Sequence, residues 1–161
     1  MPPDVLLRPE TVRDFDAVES LYRSAFGPGR FTRTAYRLRG DDPHDIAVSF
    51  VADRRGLVIG AIRQSRVHVG GSPAYMLGPL AVAETAAKQG IGRALLARTI
   101  EAARMSAADA IVLVGDPPFY GPSGFAPAAH AVALPGPVEK HRLLMLPLKR
   151  PVSGMTTGEP W

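Results

Sequence analysis

The sequence predicts an α/β fold built on one mixed sheet, and three stretches carry that reading. Ile46, Val48, Phe50 and Ala52 alternate with the period of a strand, Asp53-Arg54-Arg55-Gly56 is a turn, and residues 57–69 read as the returning strand of a hairpin. Residues 80–82 form a short apolar strand that leads through Gln89-Gly90-Ile91-Gly92 into an amphipathic helix. Ala110-Ile111-Val112-Leu113-Val114 is a continuous apolar run, the mark of a strand covered on both faces. Strand, helix and buried strand make a β-α-β unit, right-handed by default, and an antiparallel hairpin beside it makes the sheet mixed.

The remaining elements follow in chain order. Val5-Leu6-Leu7 reads as a strand ending near Pro9. Thr11-Val12-Arg13-Asp14 has capping-box spacing with Thr11 as N-cap, and the helix it opens carries Phe15, Val18, Tyr22 and Phe26 on one face. Gly27-Pro28-Gly29 stops that helix. Phe31 to Leu38 forms a second, and Gly40-Asp41-Asp42-Pro43 is a loop. Gly70-Gly71-Ser72-Pro73 turns the chain into a strand over 74–82, which Gly78-Pro79 interrupts. Proline donates nothing to a strand ladder, so a bulge or a local parting of strands is expected there. On the helix after Gly90, residues Ile91, Leu95, Leu96, Thr99, Ile100, Ala102 and Ala103 share one face, opposite Arg93, Arg98, Glu101 and Arg104. A strand near 128–134 and a final strand over 142–148 complete one domain over residues 1–148, and 149–161 reads as a flexible tail.

Composition narrows the function. A chain of 161 residues is one domain, long enough to bury about two-thirds of its unfolded surface. It contains no cysteine, which removes disulfides, thiolate metal sites and a thioacyl-enzyme intermediate, and fits a reducing, cytoplasmic setting. The net charge is +4, but Arg8, Arg23, Arg37, Arg63, Arg93 and Arg104 are dispersed rather than run together with aromatics. An anionic small ligand accounts for that excess as well as nucleic acid does, and no clustered basic face favours the latter. No signal peptide is visible, and no apolar run approaches the roughly 18 residues that span a bilayer. His44, His68, His130 and His141 lack the spacing of metal ligands, so no metal is expected.

The glycine loop is the most informative stretch. Glycines at 90 and 92 leave the backbone N–H groups of a helix start uncovered, and with the positive end of the helix dipole they suit a phosphate or pyrophosphate. No Lys-Ser/Thr follows Gly92, so this is not a Walker loop, and Leu95 stands where a dinucleotide fingerprint needs its third glycine.

The order hairpin, interrupted strand, glycine loop and helix, buried strand, then Tyr120-Gly121-Pro122-Ser123-Gly124-Phe125 resembles the GNAT acetyltransferase superfamily over residues 4–148. Gly90-Ile91-Gly92-Arg93-Ala94-Leu95-Leu96 is similar to its acetyl-CoA loop, and Leu77-Gly78-Pro79-Leu80-Ala81-Val82 to its central strand. Leu113-Val114-Gly115-Asp116-Pro117 looks most like the uncharacterised predicted N-acetyltransferase branch. The resemblance implies about six to seven strands with a splayed central pair, and about three to four helices. It also implies acetyl-CoA as co-substrate, lodged in the splay. Its pantetheine arm would pair with Leu80 and Val82, with Ala81 between them, in the manner of an added strand. Its pyrophosphate would rest on Lys88, Gln89, Gly90, Ile91, Gly92, Arg93 and Ala94. Two features depart from the family. Ala87 stands where a Gln or Arg is usual, leaving Gln89 or Lys88 to substitute, and Pro117-Pro118 leaves little room for a full helix with its Asn.

The implied reaction is direct acetyl transfer to a primary amine of a small molecule or peptide. Tyr120 is the candidate general acid for the leaving thiolate, since a phenol stays protonated at neutral pH. The Val82 N–H is the candidate oxyanion donor. Glu84 is the candidate base, with Asp116 and His68 as weaker alternatives, and an amine that arrives neutral needs none. The first helix pair, about residues 22–42, forms one wall of the acceptor site, with Phe31, Tyr36 and Arg37 as candidate linings. Homodimers are common in the superfamily and remain an option here. A non-catalytic acyl-CoA-binding or sensor domain is the rival reading, and nothing in the sequence selects one amine.

Overall fold

The computed structural model describes residues 1–27 and 44–161; the expected second helix, with Phe31, Tyr36 and Arg37, lies outside the described residues. The described residues form strands β1 (Val5–Pro9), β2 (Phe50–Arg54), β3 (Leu57–Val69), β4 (Ser72–Val82), β5 (Ala110–Val114), β6 (Ala126–Pro127), β7 (Val132–Ala133), β8 (Leu143–Pro147) and β9 (Gly154–Thr157). Helices α1 (Phe15–Phe26), α2 (Ile91–Arg104) and α3 (Pro117–Tyr120) accompany them. The sheet runs β1-β2-β3-β4-β5-β8-β6, and along this path only β4·β5 is parallel; off it, β9 pairs antiparallel with β3 and parallel with β7. Among the described residues no helix is long and apolar enough to cross a membrane.

The two faces of the sheet are covered by different helices. Ile91, Leu95, Leu96, Ile100 and Ala103 of α2 bury against Phe50, Ala52, Ile59 and Ile62 on one face. Val18 and Tyr22 of α1 cover Val51, Ala61 and Ala81 on the other. Each fully buried aliphatic side chain is worth roughly 1.5–3 kcal/mol, so the double cover fixes which way every strand residue points. Gly60 makes the α2 contact close: a Cβ there would stand 3.1 Å from Leu95 Cδ1 and 3.2 Å from Ile91 Cγ2. The first turn of α2 is thereby seated directly on β3.

Three expectations are corrected. The alternation at 46–52 is a strand only from Phe50. Asp45 accepts from the Ala47 N–H at 3.0 Å and caps a 3₁₀ turn over Ile46–Val48, with Ile46 left exposed. The strand expected near 128–134 shrinks to the two residues of β7, with the two-residue β6 just ahead of that stretch. The expected tail is ordered: β9 pairs with the end of β3 through His68↔Thr157 and Val69↔Thr156, and Val152 and Thr156 are buried. Gly70 and Gly154 permit that docking, since a Cβ on Gly154 would meet Gly70 Cα at 2.8 Å. Trp161 then donates its indole N–H to the Ala74 carbonyl at 2.9 Å and sets its ring 5.1 Å from that of Tyr75. These additions raise the strand number above the expected range without changing the fold class.

Asp14 holds the start of α1. It accepts from the Thr11 N–H at 2.8 Å, within the expected capping box, and from both terminal nitrogens of Arg8, at 2.8 and 2.9 Å. The Arg8 hydrogen bonds lead the causes that hold its carboxyl at about 2, against a usual 3.8, with burial opposing and the Thr11 N–H assisting. A depressed folded pKa stabilises the native state above the unfolded value, and that contribution is lost as pH falls through about 2. We expect Asp14→Asn to lower the urea unfolding free energy by about 1–2 kcal/mol at pH 7, with the gap from wild type closing between about pH 4 and pH 2.

Candidate active site

The site begins where β4 leaves its neighbour. β4 and β5 pair only at Ala74↔Ala110, Tyr75↔Ile111 and Met76↔Val112, and beyond Met76 they separate. The cause is local. Gly78 takes a φ of 125° and Pro79 has no N–H to donate, and the register with β3 shifts between Ile62 and Gln64 so that Gly78-Pro79 stands opposite Arg63. The Tyr22 hydroxyl of α1 donates to the Pro79 carbonyl at 2.7 Å and holds the bend from the far face.

Past the bend β4 stays paired with β3, through Ile62↔Leu80, Ala61↔Ala81 and Gly60↔Val82. The Ala83 N–H donates to the Ile59 carbonyl at 2.7 Å. Backbone groups alternate along a strand, so Ala81 also faces β3, while the N–H and C=O of Leu80 and Val82 face the gap left by β5. Leu80 and Val82 are half-buried, so among the described residues this is an unpaired strand edge inside the fold.

The loop after β4 makes a 3₁₀ turn over Glu84–Ala86, passes through Lys88 (φ 62°) and Gly90 (φ 80°) in the left-handed region, and enters α2. Glycine adopts that conformation freely, whereas Lys88 is held there at a cost of about 1–2 kcal/mol. Gly90 is the N-cap and has no side chain to occupy the first N–H groups of the helix, those of Ile91, Gly92 and Arg93. The Ala94 N–H already donates to the Gly90 carbonyl at 3.1 Å, so Ala94 is not among the open donors. A Cβ on Gly92 would lie 3.7 Å from both Val82 Cγ2 and Phe119 Cζ, so the helix start meets the end of β4 and the tyrosine loop at this one residue.

The tyrosine loop opens at the end of β5. Asp116, exposed, offers its carbonyl to the N–H groups of Phe119 (3.0 Å) and Tyr120 (3.1 Å) in the short helix α3, where Pro117 and Pro118 occupy first-turn positions that need no donor. The prolines therefore shorten this helix without preventing it. Tyr120 lies edge-on between Phe119 (4.9 Å) and Phe125 (5.8 Å), and its ring covers Gly115, where a Cβ would meet Tyr120 Cε2 at 2.4 Å. Burial pushes the phenol up to about 12, with Arg142 opposing and Asp116 adding to the rise. Arg93 donates to the Phe119 carbonyl at 3.1 Å and stacks 4.7 Å over its ring, which ties α2 to this loop.

The other expected residues are less engaged. Glu84 is exposed two residues beyond Val82. Lys88 is exposed, and the Gln89 amide oxygen is held by Arg54 at 2.7 Å. Arg98 is exposed and stacks on Phe50 at 5.1 Å. His68 sits at the far end of the β3·β4 hairpin, opposite Pro73, with Nδ1 2.8 Å from the Glu159 carbonyl, so it stands apart from the gap. Sequence reasoning missed a buried charge cluster beneath the bend. Glu10 binds Arg63 at 3.0 and 2.7 Å and His44 at 3.1 Å, and Arg63 reaches Glu19 at 2.8 Å. Burial alone would raise the Glu10 carboxyl, but hydrogen bonds from His44 and Arg63 outweigh it and hold it below its ordinary value. No local signal marks these residues, because their partners come from separate elements.

Known proteins resemble this chain in sequence and fold. The profile of the acetyltransferase (GNAT) family matches residues 15–120. An uncharacterised N-acetyltransferase of Escherichia coli strain K12, YhbS, is 33% identical over 129 residues, which cover 78% of this chain and 76% of the relative. The crystal structure of E. coli YhbS with CoA superposes with a TM-score of 0.81 at 27% identity, over 98% of this chain and 92% of that one. A GNAT family acetyltransferase from Brucella melitensis, solved with acetyl-CoA, gives 0.69 at 25% identity, over 95% and 94%.

The contact between Gly115 and Tyr120 sets a steric test. Gly115→Ala should displace the tyrosine ring and lower stability by about 1–3 kcal/mol, read as a shifted urea midpoint and an altered near-ultraviolet dichroism band.

Proposed function

Because the chain belongs to the acetyltransferase (GNAT) family, we propose that it carries an acetyl group from acetyl-CoA, bound in the gap beyond Met76, directly to a primary amine. One observation carries the binding half: Leu80 and Val82 present unpaired backbone groups to that gap beside the uncapped start of α2. A pantetheine arm has amides that pair with such an edge as a strand would. The diphosphate is matched by the N–H groups of residues 88–93 and the positive helix end, while Ala81 turns its backbone to β3 and only shapes the wall. CoA-bound and acetyl-CoA-bound relatives support the choice of co-substrate.

The chemistry then follows the charge. The amine lone pair attacks the thioester carbonyl carbon, and the oxyanion that develops is met by the Val82 N–H. Collapse of the intermediate breaks the carbon–sulfur bond, and the departing thiolate takes a proton from Tyr120. Its high pKa keeps the phenol protonated across the physiological range but makes it a weak acid, so the proton passes only as negative charge develops on the sulfur. Glu84, or water in contact with it, accepts the proton that the attacking nitrogen sheds. The acceptor is an amine of a small molecule or a peptide.

Calorimetry with CoA should give saturable heat, and an amine panel followed by free-thiol release should show turnover. Heat without thiol release from any amine would assign a binding or sensing role instead. Tyr120→Phe should lower turnover by about 10²–10⁴-fold while leaving the CoA dissociation constant within threefold. Wild-type turnover should not decline between pH 8 and about pH 10, because the acid titrates near 12; a fall in that window, or a fully active phenylalanine variant, removes Tyr120 from the role.

A further inference from the structure

Arg54 closes β2 and turns its guanidinium toward the loop that opens α2. Its Nη2 donates to Gln89 Oε1 at 2.7 Å, and its Nε lies 3.2 Å from Asp4 Oδ2. One planar cation therefore joins three segments far apart in sequence: the residues before β1, the end of β2, and the glycine loop. Gln89 is the residue between Lys88 and Gly90, both in the left-handed region. A grip on its side chain bears on the two torsions that aim the open N–H groups.

The charge pattern argues against Arg54 as a ligand of an anion. The guanidinium is turned to a carboxylate on one edge and to an amide oxygen on another, and about a quarter of the side chain, 26%, is exposed. An arginine meant for phosphate keeps its paired donors free for a bidentate contact. The Asp4 carboxylate instead pairs with the Nε edge as an ion pair, while Nη2 alone donates to Gln89. Ala87, three residues before Gly90, has only a methyl group and adds no tether of its own.

We infer that Arg54, oriented by Asp4, is a positioning residue that pre-orders the glycine loop for the diphosphate of CoA through Gln89. The inference rests on the acetyl-CoA reading above. A loop held in its binding conformation before the ligand arrives loses no affinity to ordering, whereas a loop that visits it only part of the time loses affinity by that fraction. The effect therefore falls on binding of the co-substrate rather than on the acyl-transfer step.

The test is calorimetry of CoA on the full chain for wild type, Arg54→Ala, Gln89→Ala and the double variant, with KM and kcat for acetyl-CoA and thermal midpoints alongside. We expect each single variant to raise the dissociation constant about 3–10-fold, and the double variant to be no weaker than either. KM should rise in step with that constant and kcat should change less, with the midpoint close to that of wild type. Arg54→Lys should recover little, since an ammonium is not a planar fork that meets Asp4 and Gln89 together. Wild-type affinity in Arg54→Ala overturns the inference, as do multiplicative losses in the double variant. A loss in Arg54→Ala with none in Gln89→Ala would make Arg54 a direct ligand and overturn it too. Should Arg54→Ala fail to fold, Gln89→Ala decides alone, on whether its affinity drops. If wild type itself gives no heat with CoA, the acetyl-CoA reading falls and this inference falls with it; normal wild-type heat with unaffected variants removes only the inference.

Discussion

A central strand that loses its neighbour is the constraint from which the rest of this molecule follows. Backbone groups inside a fold are costly to leave unpaired, so an edge at Leu80 and Val82 persists only when something forces β4 away from β5. Gly78-Pro79 supplies that force by withholding a donor and shifting the register against Arg63. Tyr22 and the double cover by α1 and α2 then keep the bent strand from re-pairing. The gap is thus built into the sheet rather than opened by a moving loop.

Around the gap, three elements are drawn to one point and fastened there. Gly60 lets α2 settle on β3, and Gly115 lets the Tyr120 ring close on the end of β5; in both a missing side chain converts a steric conflict into a contact. At Gly92, where the first turn of α2 meets Val82 and Phe119, a Cβ would make only an ordinary van der Waals contact. Arg93 sits in the first turn of α2, where the dipole disfavours a cation, and its stacking on Phe119 and hydrogen bond to the Phe119 carbonyl offset that penalty. The same arrangement keeps the tyrosine loop beside the helix whose N–H groups are open.

Beneath the bend, the ion cluster of Glu10, Arg63, Glu19 and His44 is a structural commitment of another kind. Replacing such a pair by apolar residues is often neutral, whereas removing one partner strands a buried charge at a cost of about 3–5 kcal/mol. Arg63 lies 5.5 Å from the Phe15 ring and 5.4 Å from the Tyr22 ring, so it joins α1 to the same stretch of β3 that faces the bulge. The cluster therefore helps fix the register shift on which the open edge depends.

The sequence by itself determined the mixed sheet, the β-α-β unit, the interruption at Gly78-Pro79 and the glycine-opened helix, because each is written in periodicity or in the torsional limits of glycine and proline. The acetyltransferase family was legible for the same reason: its motifs are local strings in a fixed order. Only the tertiary structure decided what depends on partners distant along the chain. The tail became β9 because Gly70 and Gly154 let two backbones cross, Asp45 turned the first half of an apparent strand into a 3₁₀ turn, and the ties of Arg54 to Gln89 and of Glu10 to Arg63 join residues that no window of sequence contains together. Local rules govern backbone shape, while charge pairing and close approach answer to distance in space, which the order of residues does not state.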